Sequence, residues 1–402
     1  MRTQAPRLAS TWIIGLLFAY VICVRPASAV TEKVLHSFTG SPDGDGPYGA
    51  LVIDSSGNLF GTTMEGGSGG DGTVFELSPS GGGWTETVIH SFTGAPDGAE
   101  PWGGLVFDAA GSLYGTTQHG GNPSDGGTVF KLSPSGNGWS ETVIYSFESG
   151  ADGCQPTAGL TIDSLGNLYG TTTGCGISFG TVFELSPSGN TWNETTLWEF
   201  SGIDGANPYA GVVFHGSGNL YGTTVNGGYF GLGNVFKLTN QSGVWAETSI
   251  FSFTGGDNGC EPYGGLVFSA FLADYVGTTK DCGADNVGTV FELTPTSGQW
   301  TMTILHSFTG ALDGALSTSG LVSVFKNGTG GLYGTTQFGG SWGNGTVFKL
   351  NFPFWRESEY SFVGAPTDGA NPYPGLTLGR GAAFGTTSAG GTNNLGTVYE
   401  IN

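Results

Sequence analysis

Residues 166–172 read Gly-Asn-Leu-Tyr-Gly-Thr-Thr, and Gly180-Thr-Val-Phe-Glu-Leu185 follows eight residues on. The triplet Gly-Thr-Thr returns at Gly61, Gly115, Gly170, Gly222, Gly277, Gly334 and Gly385, at intervals of 54, 55, 52, 55, 57 and 51 residues. Gly-Thr-Val-Phe-x-Leu keeps step with it from Gly72, Gly127, Gly180, Gly233, Gly288, Gly345 and Gly396, with Asn234 replacing Thr in the fourth copy and Tyr399 and Ile401 varying the last. A third marker, a ring residue two positions before a Phe, ends at Phe38, Phe92, Phe147, Phe200, Phe253, Phe308 and Phe362. Self-similarity at a fixed period of this length marks an array of like supersecondary units.

Within one unit, four β-type runs alternate with turn chemistry: Gly104 to Asp108, Ser112 to Thr117, Thr128 to Ser133 and Trp139 to Phe147. Asp108-Ala-Ala-Gly111 and Ser133-Pro-Ser-Gly-Asn137 separate them, sequences that turn at low cost. Four antiparallel strands in a row, A to D, make the blade of a β-propeller. A lone D-type run, Thr31 to Phe38, precedes the first unit, and the last unit ends in a C-type run, Thr397 to Ile401. Pairing those two closes a ring and hides both open edges. The expectation is therefore all-β: a seven-bladed propeller of about 28 strands, one domain over 30–402, its last blade completed by the first strand.

Composition agrees. Gly and Pro, 76 and 18 of 402 residues, stand just under the level of a disordered polymer, and aromatics at 13% oppose disorder. Charged residues at 11% are too few for coiled coils or helical solenoids. A formal charge of −21 repels phosphate backbones, so nucleic acid is not an expected partner.

Residues 1–29 have the parts of a secretory leader: Arg2 and Arg7, an apolar run from Trp12 to Val24, and Ala27-Ser28-Ala29. The run is 13 residues, against about 20 for a membrane span, and Cys23 lacks the setting of a lipidated cysteine. Cleavage there leaves eight basic against 32 acidic residues, a formal −24, and predicts a secreted, extracellular or periplasmic monomer with no membrane span.

Cys154 and Cys260 sit in Asp-Gly-Cys-Gln-Pro and Asn-Gly-Cys-Glu-Pro, while Cys175 and Cys282 follow Gly-Thr-Thr triplets. An A–B hairpin brings those two positions together, which predicts the pairs Cys154–Cys175 and Cys260–Cys282. Each would close a loop of about 20 residues and contribute on the order of 3 kcal/mol. The same pairing puts the D-to-A and B-to-C loops at one end of the ring.

That end collects the candidate ligand residues. Each D-to-A loop holds an acid, Asp43, Asp97, Asp152, Asp204, Asp257, Asp313 or Asp368. These either ring the channel mouth, able to take sugar hydroxyls or Ca²⁺, or only make Asx turns. No cofactor is required, Ca²⁺ being the one ion such a ring could take. Tyr48, Trp102, Tyr209, Tyr263 and Tyr373 each follow a Pro at the start of strand A, where blades three and six have Thr157 and Ser317. They either stack on a ligand or pack between blades. His119, alone in its B-to-C loop, either serves as acid or base with Asp97 or Asp152, or is an exposed loop residue without a role. No nucleophile elbow, Walker loop or His-Glu-x-x-His occurs, so no catalytic residue is assigned.

Three further periodic positions read as structural. Trp84, Trp139, Trp192, Trp245, Trp300 and Trp355 open strand D as wedges between blades. His36, His90 and His306 share a strand-D slot with Tyr145, Trp198, Phe251 and Tyr360, which reads as a packing slot for any ring. In strand C, Glu76, Lys131, Glu184, Lys237, Glu292, Lys349 and Glu400 alternate in sign, as if adjacent blades balanced charge.

The string Gly-Asn-Leu-Tyr-Gly-Thr-Thr, then Gly-Thr-Val-Phe-x-Leu, then Ser-Phe-x-Gly-x-x-Asp-Gly-x-x-Pro resembles the GloVer tandem repeat of secreted bacterial proteins across essentially all of 30–402. The segment from Leu160 to Tyr169 also resembles a hairpin of NHL-type propellers. The resemblance implies a propeller-like fold and export, and no particular activity. The surface anchor that often ends such chains does not follow Asn402, so release rather than anchoring is expected. The leading functional expectation is a binding module for polysaccharide or a surface glycan, or for a surface protein. The alternatives are an extracellular glycan hydrolase or lyase using the loop acids, and a spacer without a small ligand.

Overall fold

A computed structural model describes residues 30–402, apart from 137, 176–178, 217, 327–328 and 353–355. Residues 1–29, with the expected leader, and Trp355 lie outside the described residues. Seven four-stranded antiparallel sheets stand in chain order, each a meander. Blade two is representative: strand A is Val106–Phe107, B is Leu113–Thr117, C is Thr128–Ser135 and D is Gly138–Ser146. Blade seven takes A, B and C from Thr377–Gly379, Ala382–Thr387 and Thr397–Ile401, and D from Glu32–Ser37 at the other end of the chain. The register runs Glu32 to Ile401, Val34 to Tyr399 and His36 to Val398, the expected closure.

The repeated motif explains the ring. A Cβ on Gly61 would fall 2.6 Å from the Phe75 ring tip, and the same approach recurs between Gly115 and Phe130 at 2.5 Å, so that position must stay bare. The first threonine crosses to the next blade: Thr62 donates to Gly103 O at 3.1 Å, Thr116 to Ala158 at 2.9 Å, Thr278 to Ser319 at 2.8 Å and Thr335 to Pro374 at 3.0 Å. Thr171 and Thr223 continue the series, and Thr386 carries it across the closure to Gly49 at 3.4 Å. The second threonine bonds within its blade to the threonine that opens strand C, as in Thr63 to Thr73 at 2.8 Å.

Strand A is shorter than its sequence suggests, only two residues in blades one, two and three. Seven chains converge on the axis, and there the carbonyls of the preceding residues accept from threonines of the neighbouring blade instead of from a ladder. Each seam between blades has its own apolar cluster. One is built from Phe60, Val74, Phe92, Leu105, Leu113, Phe130 and Leu132. Around the closure, Phe38, Phe75, Phe384 and Val398 belong to a cluster of the same kind.

Both cysteine pairs are bonded, Cys154 to Cys175 and Cys260 to Cys282. The alternating strand-C charges do not pair across blades among the described residues. Lys131, Lys237 and Lys349 instead lie over tyrosines of their own blades, Tyr114, Tyr221 and Tyr333, at 5.2, 5.9 and 5.0 Å.

Thr278→Val keeps the side chain's shape and deletes one crossing bond, leaving the buried Ser319 carbonyl without that donor. The expected cost is about 1–3 kcal/mol, read as a shift in denaturant midpoint. An unchanged midpoint would remove the crossing bonds from the account of ring stability.

Candidate functional site

In every blade the D-to-A loop lies against the B-to-C loop at one end of the ring. The bridges are Asp45 to Glu65, Ala99 to His119, Cys154 to Gly174, Ala206 to Asn226, Cys260 to Asp281 and Ala315 to Phe338, with Gly369–Ala370 on Ala389–Gly390 in blade seven. The residue that leads each D-to-A loop into strand A is left-handed, with φ of 53 to 61° at Gly46, Glu100, Gln155, Asn207, Glu261, Leu316 and Asn371. Only one of the seven is glycine, so six side chains are held in a conformation uncommon for them. A Pro or, in blade six, Ser317 follows, and the chain then turns into the axis.

The residues after that turn build the axial mouth. Tyr48, Trp102, Tyr209, Tyr263 and Tyr373 line a cavity of about 170 Å³, with Thr157 in blade three and Thr318 and Ser319 in blade six. The rings touch one another in two groups. Tyr48 stacks on Trp102 at 4.8 Å and meets Tyr373 edge-on at 5.2 Å, while Tyr209 and Tyr263 lie 4.9 Å apart. The blades without rings interrupt the circle, at Thr157 and at Thr318; Ser317, expected at the ring position, takes the place of the Pro instead. Ser317 and Ser319 both donate to Thr335 O, and Thr318 donates to Tyr373 O. The Thr157 residue is 4% exposed, and its hydroxyl has no hydrogen-bond partner. Burial raises the Tyr263 hydroxyl to about 12 and raises Tyr373 further, so both are neutral donors at ordinary pH.

Acids surround the mouth from the loops behind it. Burial and then Glu65 push Asp45 up, and burial and Asp281 push Glu261 up against the opposing pull of Lys280. Lys280 sits 3.8 Å from Glu261 and 4.6 Å from the Tyr263 ring. His119 does not meet Asp97 or Asp152. Its Nδ1 lies 3.2 Å from Asp125 and its Nε2 3.9 Å from Glu100.

The seven loop aspartates are placed elsewhere, one step outward. Asp43 accepts from Thr39 N and from His36 Nε2 at 3.2 Å, and Asp97 does the same with Thr93 and His90. Asp152 accepts from Tyr145 at 3.0 Å, Asp204 from Trp198 Nε1 at 3.0 Å, Asp313 from His306 at 3.2 Å and Asp368 from Tyr360 at 3.0 Å. The strand-D slot is therefore more than a packing slot: six of its seven rings carry a donor, and each donor reaches the aspartate of its own loop. The seventh is Phe251, which has no donor, and its loop folds instead as a short 3₁₀ turn, Gly256–Asn258, around Asp257.

Among the described residues, a glutamate from strand D of the next blade joins five of the junctions. Burial and then the Asp43 charge lift Glu86 to about 7, and burial with Asp97 does the same for Glu141. Burial and Asp204 lift Glu247 to about 7, and burial and Asp368 lift Glu32 to about 8. Glu194 is raised as well. The position in blade five, beside the Phe251 junction, is Met302. His36, Asp43 and Glu86 bring their ligand atoms within 4.8 Å of one another, close enough for a metal ion; His36 is hydrogen-bonded to Asp43, and one buried Glu86 oxygen has no hydrogen-bond partner.

Large apolar residues stand exposed in the loops of the same end: Tyr229 at 81%, Phe230 at its side, and Trp342 at 64% with Phe338. The repeat register could have flagged them, because Tyr229-Phe230 and Trp342 follow Gly-Gly pairs where other units carry small or polar residues.

A family model described as the Gloeobacter/Verrucomicrobia repeat matches residues 15–211 and 137–329. Over 134 residues, 32% of this chain, there is 33% identity to a xyloglucanase of Paenibacillus sp, of whose length the match spans 12%. Among solved structures, the Trichoderma reesei carbohydrate-active enzyme of family AA12 aligns over 94% of this chain and 96% of its own, with 13% identity and a TM-score of 0.44. A Thermus protein provisionally assigned as an oxidoreductase (glucose dehydrogenase) aligns over 93% and 100%, with 11% identity and a TM-score of 0.45.

The junction glutamates make a pH prediction. Their folded values lie above the ordinary carboxyl range near 4.5, so the folded state holds protons that the unfolded chain releases. Their stabilisation is complete below about 4.5 and is lost as pH rises through 7 to 8. His306, lowered by burial, works in the opposite direction as one group against several. Thermal midpoints should fall between pH 5 and 8, and Glu86→Gln with Glu141→Gln and Glu247→Gln should flatten that fall. A midpoint that rises over this range would contradict the assignment.

Proposed function

The chain belongs to the Gloeobacter/Verrucomicrobia repeat family, and we propose that it is a secreted binding module that takes one ring of a neutral carbohydrate end-on in its axial mouth. The observation that carries the reading is the Thr157 hydroxyl, buried and unpartnered in the lining of a cavity that five tyrosine and tryptophan rings share with Thr318 and Ser319. Leaving such a group unmet costs about 1–3 kcal/mol, and a turn of the Thr157 side chain toward the cavity would let a ligand hydroxyl recover it. A sugar offers that hydroxyl together with a C–H face that stacks on aromatic rings.

Size and charge narrow the ligand. A cavity of about 170 Å³ is well below the roughly 300–1,000 Å³ of pockets that enclose drug-sized molecules, and fits a single ring rather than an oligosaccharide. Glu65, Asp45, Glu100, Glu261 and Asp281 lie in the loops behind the mouth, and they disfavour uronates and sulfated sugars. The remaining units of a longer chain would cross the outer surface, where Tyr229, Phe230 and Trp342 offer exposed faces. The seven aspartates take a supporting role in this reading, holding the loops that present the rings. The stretch similar to a xyloglucanase is in keeping with a neutral glycan.

The test is calorimetric titration with neutral glucan and xyloglucan oligosaccharides, with an oligogalacturonate as the charged comparison. Trp102→Ala and Thr157→Val should each weaken the neutral ligand by about tenfold, near 1.4 kcal/mol. Trp342→Ala should weaken longer oligosaccharides and leave a disaccharide unaffected. Binding that survives all three variants, or that favours the oligogalacturonate, would overturn the proposal. Release of new reducing ends during the titration would move the reading to a hydrolase.

A further inference from the structure

Counting back six residues from the strand-D slot ring reaches Trp84, Trp139, Trp192, Trp245 and Trp300 in blades one to five. The same count from His36, in the strand that completes blade seven, reaches Val30. The tryptophans cross the seam onto strand B of the preceding blade. Trp84 meets Phe384 at 6.1 Å, Trp139 meets Phe60 at 5.7 Å, Trp192 meets Tyr114 at 6.0 Å and Trp300 meets Tyr221 at 6.4 Å, all edge-on. Where the strand-B ring is Tyr114 or Tyr221, a strand-C lysine also lies over it, Lys131 or Lys237. Two seams are thus built in three layers: lysine, tyrosine, tryptophan.

Blade six supplies the first two layers again, with Lys349 5.0 Å from the Tyr333 ring. Among the described residues the third is missing, because Val30 stands where the tryptophan would. The seam between blades six and seven holds a groove of about 560 Å³ lined by Tyr333, Lys349, Val30, Leu378, Arg380 and Ala383. Val30 and Leu378 are 37% and 38% exposed. That volume lies within the roughly 300–1,000 Å³ of small-molecule sites, and its apolar floor and free tyrosine edge suit a flat ring. Lys349 is one of only eight basic residues in 30–402, and it favours an acidic substituent over a basic one; Arg380, also in the lining, turns its guanidinium to Ser56 O of blade one at 3.4 Å.

We propose that this seam is a binding site for a flat aromatic molecule of indole size carrying a carboxylate, its ring occupying the place that tryptophan occupies in the other seams. The groove lies toward the A–B and C–D turns, away from the axial mouth, and the proposal stands independently of the carbohydrate reading.

The experiment titrates the full chain with indole-3-acetate, indole and tryptamine, followed by ligand-observed NMR and calorimetry. Indole-3-acetate should bind most tightly, at least about fivefold better than tryptamine. Val30→Trp should fill the seam from within, raise the thermal midpoint and weaken indole-3-acetate by about tenfold or more. If that variant does not fold, Lys349→Gln serves in its place: it should remove most of the preference for the acetate and leave indole bound. Trp102→Ala, in the mouth, should leave all three titrations unchanged. No binding, equal binding of the acid and the amine, or undiminished binding by Val30→Trp would overturn the proposal.

Discussion

Each blade lends a buried threonine hydroxyl to a carbonyl of the next, seven times around the axis, and the arrangement of the molecule follows from that one contact. The donor is the middle residue of Gly-Thr-Thr, and it can reach across only because the flanking positions are settled within the blade. The glycine admits the strand-C phenylalanine or tyrosine ring, and in six blades the second threonine bonds to the threonine that opens strand C. The acceptors are backbone groups of the innermost segment, which therefore has little ladder of its own. At the axis the chain is shaped by its neighbours more than by its own blade, and the residues just before each acceptor are left facing the channel. The mouth is where the tie between blades exposes the side chains it does not use.

A second layer of the seams shows how a repeat keeps a polar junction consistent. Ring donor, loop aspartate and neighbouring glutamate occur together, and where the ring is Phe251 the glutamate is Met302 and the loop takes another course. The aspartate has its ring donor, while one oxygen of Glu32, Glu86, Glu141 and Glu247 stays buried without a hydrogen-bond partner, so replacing the whole set by apolar groups at one seam removes a cost that changing one member would not. The exchange of all members at one seam is the physical content of the pattern. It also means the aspartates are committed to the scaffold before any ligand arrives.

Much of this was legible in the sequence. The markers at fixed spacing gave the number of blades, the split D strand gave the closure, and Cys154 with Cys175 gave the hairpin geometry and the shared loop end. The rings at Tyr48, Trp102, Tyr209, Tyr263 and Tyr373 were found because they follow Pro at one repeat position. The aspartates were harder, since a carboxylate in a Gly-rich loop looks the same whether it faces a channel or its own strand. Its partner sits seven residues back in Asp43, Asp97, Asp152 and Asp313, and six or eight back in Asp204 and Asp368. The clue was the donor atom shared by His, Tyr and Trp and absent from Phe251. Strand-C lysines misled in the same way. Alternation with glutamate suggests pairing across blades, whereas Lys131, Lys237 and Lys349 settle over rings in their own blade, where a cation gains from the aromatic face without having to reach an exposed partner.

What the repeat period hides is the set of places where it is broken, and a sevenfold ring has no use for a ligand until it is broken. Identical contacts around an axis would have to be met by a ligand of the same symmetry, so a monosaccharide or a flat ring can only be recognised by a subset. Thr157 and Thr318 divide the aromatic circle into a group of three and a group of two, and Thr157 is the one that keeps an unmet hydroxyl. Val30 breaks the tryptophan series for a different reason. The closing strand is borrowed from the opposite end of the chain, and its wedge position falls on Val30. Closure by a borrowed strand therefore preserves the ladder from Glu32 to Ser37 and leaves the seam beside it short of one ring.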